Sequence, residues 1–289
     1  MNRKKIQNLA FGLVFLAGFC LLLYPWASNA WNEWRHARLV GDYAADVAEV
    51  SREDNSRWFK AADAYNHTLE GRGVPDAFAL VAPEESAAYQ AQLAFREDGM
   101  MGYLEVPRIG QTLPIYHRTS EATLARGVGH LEGSALPVGG ASTHCVLSAH
   151  RGLPSAALFT DLDKLRLGDH FFIHVLDRTL AYEVDQVLTV EPDDTASLDV
   201  EGGQDLVTLV TCTPYGVNTQ RLLVRGHRVD LSAAQVAAEV PAPSLATNYL
   251  LWVVLGLATI AVFVAVARWN ETKGQSLSLI RRKRGRHAK

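Results

Sequence analysis

Two long apolar runs, one near each end of the chain, constrain this sequence more than any other feature. Residues 250–267 (LLWVVLGLATIAVFVAVA) contain no charged side chain, and neither do residues 9–26 (LAFGLVFLAGFCLLLYPW). Each run is close to the roughly 20 apolar residues that a helix needs to cross a bilayer. A soluble globular fold would have to bury both of them. The sequence therefore predicts two transmembrane helices, at 9–26 and 249–267.

Basic residues flank both runs on the side away from the middle of the chain. The N-terminus begins MNRKK, and the C-terminal tail ends RRKRGRHAK. Because Lys and Arg beside a membrane span favour the cytoplasm, residues 1–8 and 268–289 are predicted to be cytoplasmic and the middle of the chain extracellular. A cleaved signal peptide is the alternative for the first run, since the small residues at 27–30 suit a signal peptidase. Beside a span, the basic tail indicates attraction to anionic lipid rather than to nucleic acid.

The extracellular stretch divides into a helical part and a strand-rich part. Residues 27–97 carry apolar side chains at three- and four-residue spacings, which predict amphipathic helices, with an irregular segment at 74–82. Residues 98–231 place short runs such as YLEV, THCVLSAH and DLVTLVT between turns, which predicts a mainly β fold, a closed barrel of about eight strands or a sandwich. Residues 232–248 predict a stiff linker back to the membrane. The residues predicted to pack on one face of the first amphipathic helix are Trp31, Trp34, Leu39, Tyr43, Val47 and Val50.

A cysteine, Cys212, ends the strand-like run TLVTC. His150 closes THCVLSAH and Arg221 opens RLLVRG, so all three lie at strand ends, where a rigid barrel presents reactive groups. A thiolate is a nucleophile, an imidazole transfers protons, and a guanidinium holds a developing oxyanion. These residues alone leave four roles open for Cys212: core thiol, disulfide partner, metal ligand or nucleophile of an acyl transfer.

Cys145 is the natural disulfide partner for Cys212 in an exported protein. It lies an odd number of residues from His150 on one strand, so the two side chains are predicted to point to opposite faces. We therefore expect Cys145 to be a small buried hydrophobe and Cys212 to be free. No metal or other cofactor is predicted, because the histidines lack the spacing of a ligand set. His130, in GVGHLEG, is interpreted as a structural histidine near the site.

Several segments in order resemble the sortases, the transpeptidases of Gram-positive cell surfaces, and most of all class C, the pilin-polymerising sortases. The segments are GYLEVPRIG (102–110), LPIYH (113–117), GVGHLEGSALPVGG (127–140), HRGLPSAALFTDLDKLRLGD (150–169), VEPDDT (190–195) and TLVTCTPYGVNTQRLLVRG (208–226). The resemblance implies a sortase-type β-barrel. It also implies that Cys212 is the nucleophile, His150 the general acid or base, and Arg221 the residue that positions substrate and steadies the oxyanion.

The same resemblance implies the reaction and its partners. A sortase cleaves an LPxTG-type sorting signal between Thr and Gly and keeps the acyl group as a thioester. The resemblance to class C implies that the acceptor is a lysine amine of another pilin. The expected partners are therefore pilin subunits and the cell membrane, with no nucleic acid. Thr211 and Ser148 are expected to line the substrate groove. Two other interpretations stay open: a housekeeping-type sortase that attaches proteins to peptidoglycan, and a non-catalytic membrane scaffold for surface assembly.

Class C sortases often carry a lid with an Asp-Pro-aromatic motif that occupies the active site. This chain has Asp76-Ala77-Phe78 within the irregular segment. The resemblance implies that Asp76 pairs with Arg221 and that Phe78 covers Cys212 until substrate displaces the segment. Ala77 stands where the motif has proline, which would loosen the backbone of the lid.

Overall fold

The computed structural model describes residues 3–69, 76, 78, 87–239, 256 and 259. All described elements from residue 3 to residue 239 belong to one compact unit, which extends to residue 240. The second predicted span, 249–267, lies outside the described residues apart from 256 and 259, which are both helical. The basic tail and most of the predicted lid segment, 74–82, also lie outside them.

The strands form a closed barrel. They are β1 (Met100–Val106), β2 (Gln111–His117), β3 (Val128–His130), β4 (Thr143–Ser148), β5 (His170–Val175), β6 (Arg178–Val190), β7 (Asp205–Thr213) and β8 (Gln220–Val229). Their order around the barrel is β1-β2-β3-β4-β7-β8-β6-β5, with β2–β3 and β4–β7 parallel and the other pairs antiparallel. The predicted mainly β, closed barrel of about eight strands is confirmed. The strand β3 was not among the predicted runs, because three residues are too few to show an alternating pattern.

The two faces of the barrel strands bury different sets of side chains. On β4 and β7, Cys145 and Val207 pair in register and belong to the large hydrophobic core inside the barrel. Val146 and Val210 follow the opposite parity and belong to a separate cluster on the outside, as expected when successive side chains alternate across a sheet. We call this second set the outer cluster; it consists of Leu131, Val146, Leu198, Val210 and Leu223.

One helix, α1 (Arg3–Glu49), continues from the apolar run to the residues that precede the barrel. Among the described residues it is the one helix long and apolar enough to cross a membrane, judged by length and composition. Its second half lies on the barrel. Tyr43 is buried there, donating a hydrogen bond to the Met101 carbonyl (3.0 Å) and accepting one from the Leu176 amide (2.8 Å). The sequence predicted a span followed by a separate amphipathic helix, whereas the structure joins the two.

The prediction that Trp31 and Trp34 face the barrel with Tyr43 was wrong. Both are exposed, whereas Leu39 and Val47 pack in the cluster around Tyr43. At 3.6 residues per turn, Trp34 lies on the side of α1 opposite Tyr43. The side of α1 that faces the barrel instead carries His36, which is buried and has its Nε2 2.9 Å from the Arg126 carbonyl oxygen.

The other helices that the structure describes, within residues 51–239, are shorter than α1. The helix α2 (Arg52–His67) is capped by Ser51, whose Oγ accepts a hydrogen bond from the Asp54 amide at 3.1 Å. Three shorter helices follow: α3 (Ala87–Gln90), α4 (Glu121–Leu124) and α5 (Ala233–Glu239). The helix α5 occupies the described part of the segment predicted as a linker.

Candidate active site

The strand register brings His150 and Cys212 side by side. The parallel strands β4 and β7 pair with a constant offset, which extends past their last ladder pair through the hydrogen bond from the Ala149 amide to the Val210 carbonyl (3.2 Å). His150 follows Ala149, and at the same offset its neighbour on β7 is Cys212. Adjacent strands lie about 4.8 Å apart, and residues in register share a face of the sheet. Both side chains therefore project from neighbouring strand ends on the face of the outer cluster.

Arg221 lies on the other side of Cys212. The two residues are directly paired across the antiparallel strands β7 and β8. Arg221 Nη1 donates toward Cys212 Sγ over 3.6 Å. The half-buried thiol has its pKa raised by burial; the positive charge of Arg221 opposes that effect, and the negative charge of Asp76 reinforces it. In this arrangement burial and the Asp76 charge both disfavour the thiolate.

Two residues of the predicted lid cover this group. Asp76 accepts two hydrogen bonds from Arg221, one from Nε to Oδ1 (2.9 Å) and one from Nη2 to Oδ2 (2.7 Å). The Phe78 ring lies 5.1 Å from Arg221 Cζ, and its centroid is 6.1 Å from that of the His150 ring. Phe78 also packs against the outer cluster. Arg221 is thus occupied by a carboxylate, and an aromatic ring lies against both residues that flank the thiol.

Comparison with known proteins gives a concordant answer. The family model described as a Sortase domain matches residues 104–229. The structure of sortase C1 from Streptococcus agalactiae is 48% identical with a TM-score of 0.63 and covers 68% of this chain and 100% of that chain. The structure of Streptococcus pneumoniae sortase C is 42% identical with a TM-score of 0.64 and covers 68% and 98%. The chain belongs to the sortase family. A curated relative, sortase A of Bacillus anthracis, is 23% identical over 233 residues, which are 81% of this chain and 99% of the relative.

Sortases are cysteine transpeptidases, and this sortase is therefore an enzyme of that type. Its solved neighbours are class C enzymes, the pilin-polymerising class. The resemblance drawn from the sequence segments is confirmed.

Ser148 and Thr211, expected to line the groove, are both fully buried. The Thr211 hydroxyl donates a hydrogen bond to the carbonyl of Ala149 (2.8 Å), the residue that follows β4, so it joins β7 to the segment that leads to His150. Ser148 pairs in register with Val210, and so it lies on the face of the outer cluster, two residues before His150. Contact of either residue with substrate stays a prediction.

The other cysteine outside the apolar runs, Cys145, is part of the barrel core. Cys145 is a free thiol, buried among the interior side chains, and burial raises its pKa well above the ordinary value. The predicted small buried hydrophobe is confirmed. His130 is also fully buried, with Nδ1 2.9 Å from the Tyr89 hydroxyl and Nε2 2.8 Å from the Ala135 carbonyl. Its interpretation as a structural histidine is consistent with these contacts.

Glu121 lies beside the site, and no sequence pattern indicates this position. Its Oε1 lies 3.3 Å from His150 Nε2, although the Glu121 side chain is largely exposed. Glu121 is the first residue of α4, and Ser120 caps that helix. An acidic residue in a first helical turn is common for reasons of the helix dipole alone. Its proximity to His150 therefore could not be read from the sequence.

Proposed function

We propose that this sortase is a membrane-anchored class C enzyme that joins pilin subunits. It cleaves an LPxTG-type sorting signal between Thr and Gly and transfers the acyl group to a lysine amine of another pilin. The observation that carries the proposal is the paired lid contact, in which Asp76 binds Arg221 and Phe78 lies against His150. The Streptococcus pneumoniae sortase C structure, described in terms of catalysis and pilin substrate specificity, supports the same choice of substrate.

The first half of the reaction forms a thioester. The Cys212 thiol gives its proton to His150, and the resulting thiolate attacks the threonine carbonyl carbon, whose oxygen takes the negative charge. Arg221, whose Nη1 already points at Sγ, donates a hydrogen bond to that oxygen. The Thr–Gly bond breaks when His150 gives a proton to the departing glycine amine. The acyl group is left on Cys212.

The second half returns the enzyme to its starting state. The lysine amine attacks the thioester carbonyl, and its proton passes to His150. The carbon–sulfur bond breaks, Cys212 leaves as a thiolate and takes the proton back from His150, and a new amide joins the two subunits. One amide is exchanged for another, so no external energy source is required.

The lid must move before either half can start. Asp76 occupies two of the donor groups that Arg221 would offer to the substrate oxyanion. Its negative charge also raises the Cys212 pKa, which opposes formation of the thiolate. Departure of Asp76 has two effects: it releases the Arg221 guanidinium, and it favours the Cys212 thiolate. Lid opening is therefore the step at which substrate turns the site on.

The membrane placement follows from the apolar run and the flanking charges. The run at 9–26 lies within α1, and the part of α1 beyond it is docked on the barrel. We propose two spans, 9–26 and 249–267, with both termini cytoplasmic and the catalytic domain of residues 98–231 on the extracellular face. Basic ends on both sides support this orientation.

The experiment that tests the function uses two cysteine variants of the full chain with an LPxTG peptide. Cys212→Ala should fail to form the thioacyl adduct seen by mass spectrometry, and Cys145→Ser should form it. Equal loss in both variants would contradict the assignment of the nucleophile. Adding a lysine-containing pilin peptide or an oligoglycine as acceptor separates the two sortase types. Transfer only to the glycine amine would favour the housekeeping activity.

A further inference from the structure

Three polar side chains of α1 fasten the helix to the loop that follows His150. Asn29 Oδ1 accepts a hydrogen bond from the Ala157 amide at 2.7 Å. Asn32 Nδ2 and Ser28 Oγ both donate to the Ser155 carbonyl, at 2.7 and 3.1 Å. These contacts begin two residues beyond the apolar run. We call these three residues of α1 and their two partners the helix clamp.

The helix clamp fixes the height of this loop above the membrane. Residues 9–26 form about 27 Å of helix at a rise of 1.5 Å per residue, close to the thickness of a hydrocarbon core of about 30 Å. Ser28 and Asn32 then lie about 3 and 9 Å beyond the end of the run. The headgroup layer is about 5–8 Å deep on each side. Pro25 lies in α1 before the clamp, inside the apolar run. A bend of the helix at Pro25 would therefore still leave the clamp next to the membrane.

The clamped loop leads directly to the catalytic end of the barrel. His150 precedes it, and the Phe159 amide at its far end donates to the His150 carbonyl (3.1 Å). Gly152 of this loop lies against the Tyr215 ring, so closely that a Cβ at Gly152 would stand 3.1 Å from it. Tyr215 belongs to the loop between β7 and β8, which connects Cys212 to Arg221. Both loops therefore lie on the side of the barrel held next to the membrane.

The loop between β7 and β8 exposes two large apolar side chains. Tyr215 is 60% exposed and Val217 is 63% exposed. On α1, Trp31 and Trp34 are also exposed, with ring centroids 5.1 Å apart, a few residues past the apolar run. Tryptophan and tyrosine are enriched at the membrane–water interface, where one part of the ring system is apolar and another is wet. Trp31 and Tyr215 therefore have the chemistry that the headgroup layer favours, and Val217 adds exposed apolar surface beside Tyr215.

We propose that the catalytic end of the barrel rests on the lipid headgroup layer, with Tyr215 and Val217 in contact with lipid. The proposal deepens the membrane placement given above and depends on it. The occupant of this apolar surface is the bilayer that α1 crosses. The apolar run and the helix clamp belong to one continuous helix, so the clamp holds the catalytic end of the barrel beside that bilayer. The site then meets a sorting signal at the membrane surface, where a membrane-anchored donor peptide presents it.

The test is lipid photo-crosslinking with the full chain in phospholipid vesicles. A benzophenone amino acid replaces Val217 in one variant and Val200 in the other. Val200 is a matched control because it is also an exposed valine but lies toward the other end of the barrel. It follows Asp199, whose carbonyl contacts His144 at the start of β4. That strand end lies about 20 Å from His150 along β4. We expect severalfold more lipid adduct from position 217 than from position 200, and equal or absent adducts would overturn the proposal.

A probe at Phe15, within the apolar run, separates this result from the membrane placement itself. Lipid adducts at Phe15 without adducts at Val217 would leave the anchor intact and refute the contact of the catalytic end. No adducts at either position would refute the anchor, and with it the proposal.

A kinetic measurement adds an independent criterion. Val217→Ser should lower the turnover of a vesicle-anchored donor peptide severalfold while leaving that of the soluble peptide unchanged, and Val200→Ser should change neither. An equal loss on both peptides would mean that Val217 supports the active-site loop rather than the membrane contact.

Discussion

Breaking the contact between Asp76 and Arg221 should expose the nucleophile of this sortase. Asp76 and Arg221 are joined by two hydrogen bonds, and their side chains are 16% and 11% exposed. Each hydrogen bond to a charged group contributes about 1.5–3 kcal/mol net in a protected setting. Residual screening and the entropy of holding the lid reduce the gain. We take about 2 kcal/mol for the pair, which corresponds to about a 30-fold change in the ratio of open to closed lid.

The assay is the rate at which a small thiol reagent modifies Cys212. If modification proceeds from the open lid, Asp76→Ala should raise the rate about 30-fold, up to the limit set by a fully open site. Removing the Asp76 charge should also lower the Cys212 pKa, since that charge raises it. The alkylation–pH curve should therefore shift to lower pH as well as rise. Asp76→Asn, which keeps the shape and one acceptor oxygen, should give a smaller increase.

The Cys212 peptide is quantified by mass spectrometry, with the buried Cys145 as the internal standard for an intact fold. Phe78→Ala in the same background reports the covering effect of the ring separately from the charge. An unchanged Cys212 rate in Asp76→Ala would refute the lid. A parallel rise at Cys145 would show unfolding of the barrel and would equally refute the reasoning.

Three further predictions concern the site and the stability of the barrel. Arg221→Lys should lower kcat/KM on a soluble sorting-signal peptide by about 100-fold, because a lysine loses the paired donor geometry at the oxyanion; full activity would remove Arg221 from the chemistry. Tyr43→Phe should lower the free energy of unfolding by about 1–3 kcal/mol, since two buried main-chain groups lose their partner; an unaltered melting temperature in detergent would contradict this. Burial lowers the pKa of His130 from 6.5 to about 4, so the unfolded chain binds a proton that the folded chain excludes between these values. Stability should be full above about pH 6.5 and fall by about 3 kcal/mol as the pH drops toward 4; a melting temperature that stays constant over this interval would refute the assignment.

The candidate reactive residues could be selected from the sequence because their chemistry is local. Cys212, His150 and Arg221 each end or begin a strand-like run, and strand ends are recognisable from the polarity pattern around them. The odd spacing between Cys145 and His150 was enough to separate a core thiol from a candidate nucleophile, because side chains alternate across a strand. Resemblance of the surrounding segments to sortases then selected one role among four.

The helices show where local pattern was insufficient. Trp31 and Trp34 fit the apolar spacing of an amphipathic helix as well as Leu39 does. Which side of α1 faces the barrel depends on partners far along the chain, such as the Arg126 carbonyl that meets His36. The same holds for the clamp at Asn29 and Asn32, since single amides in the interior of a helix follow no periodic pattern that identifies their partner.

By itself, the sequence determined the class of this protein: an apolar helix, a β-barrel and a set of thiol, imidazole and guanidinium groups at strand ends. Only the tertiary structure decided how these groups meet. The parallel register of β4 with β7 places His150 beside Cys212, and the antiparallel register of β7 with β8 places Arg221 on the other side. The bond between Asp76 and Arg221 joins residues 145 positions apart. Register and long-range pairing depend on the closure of the whole barrel, and no local spacing encodes them.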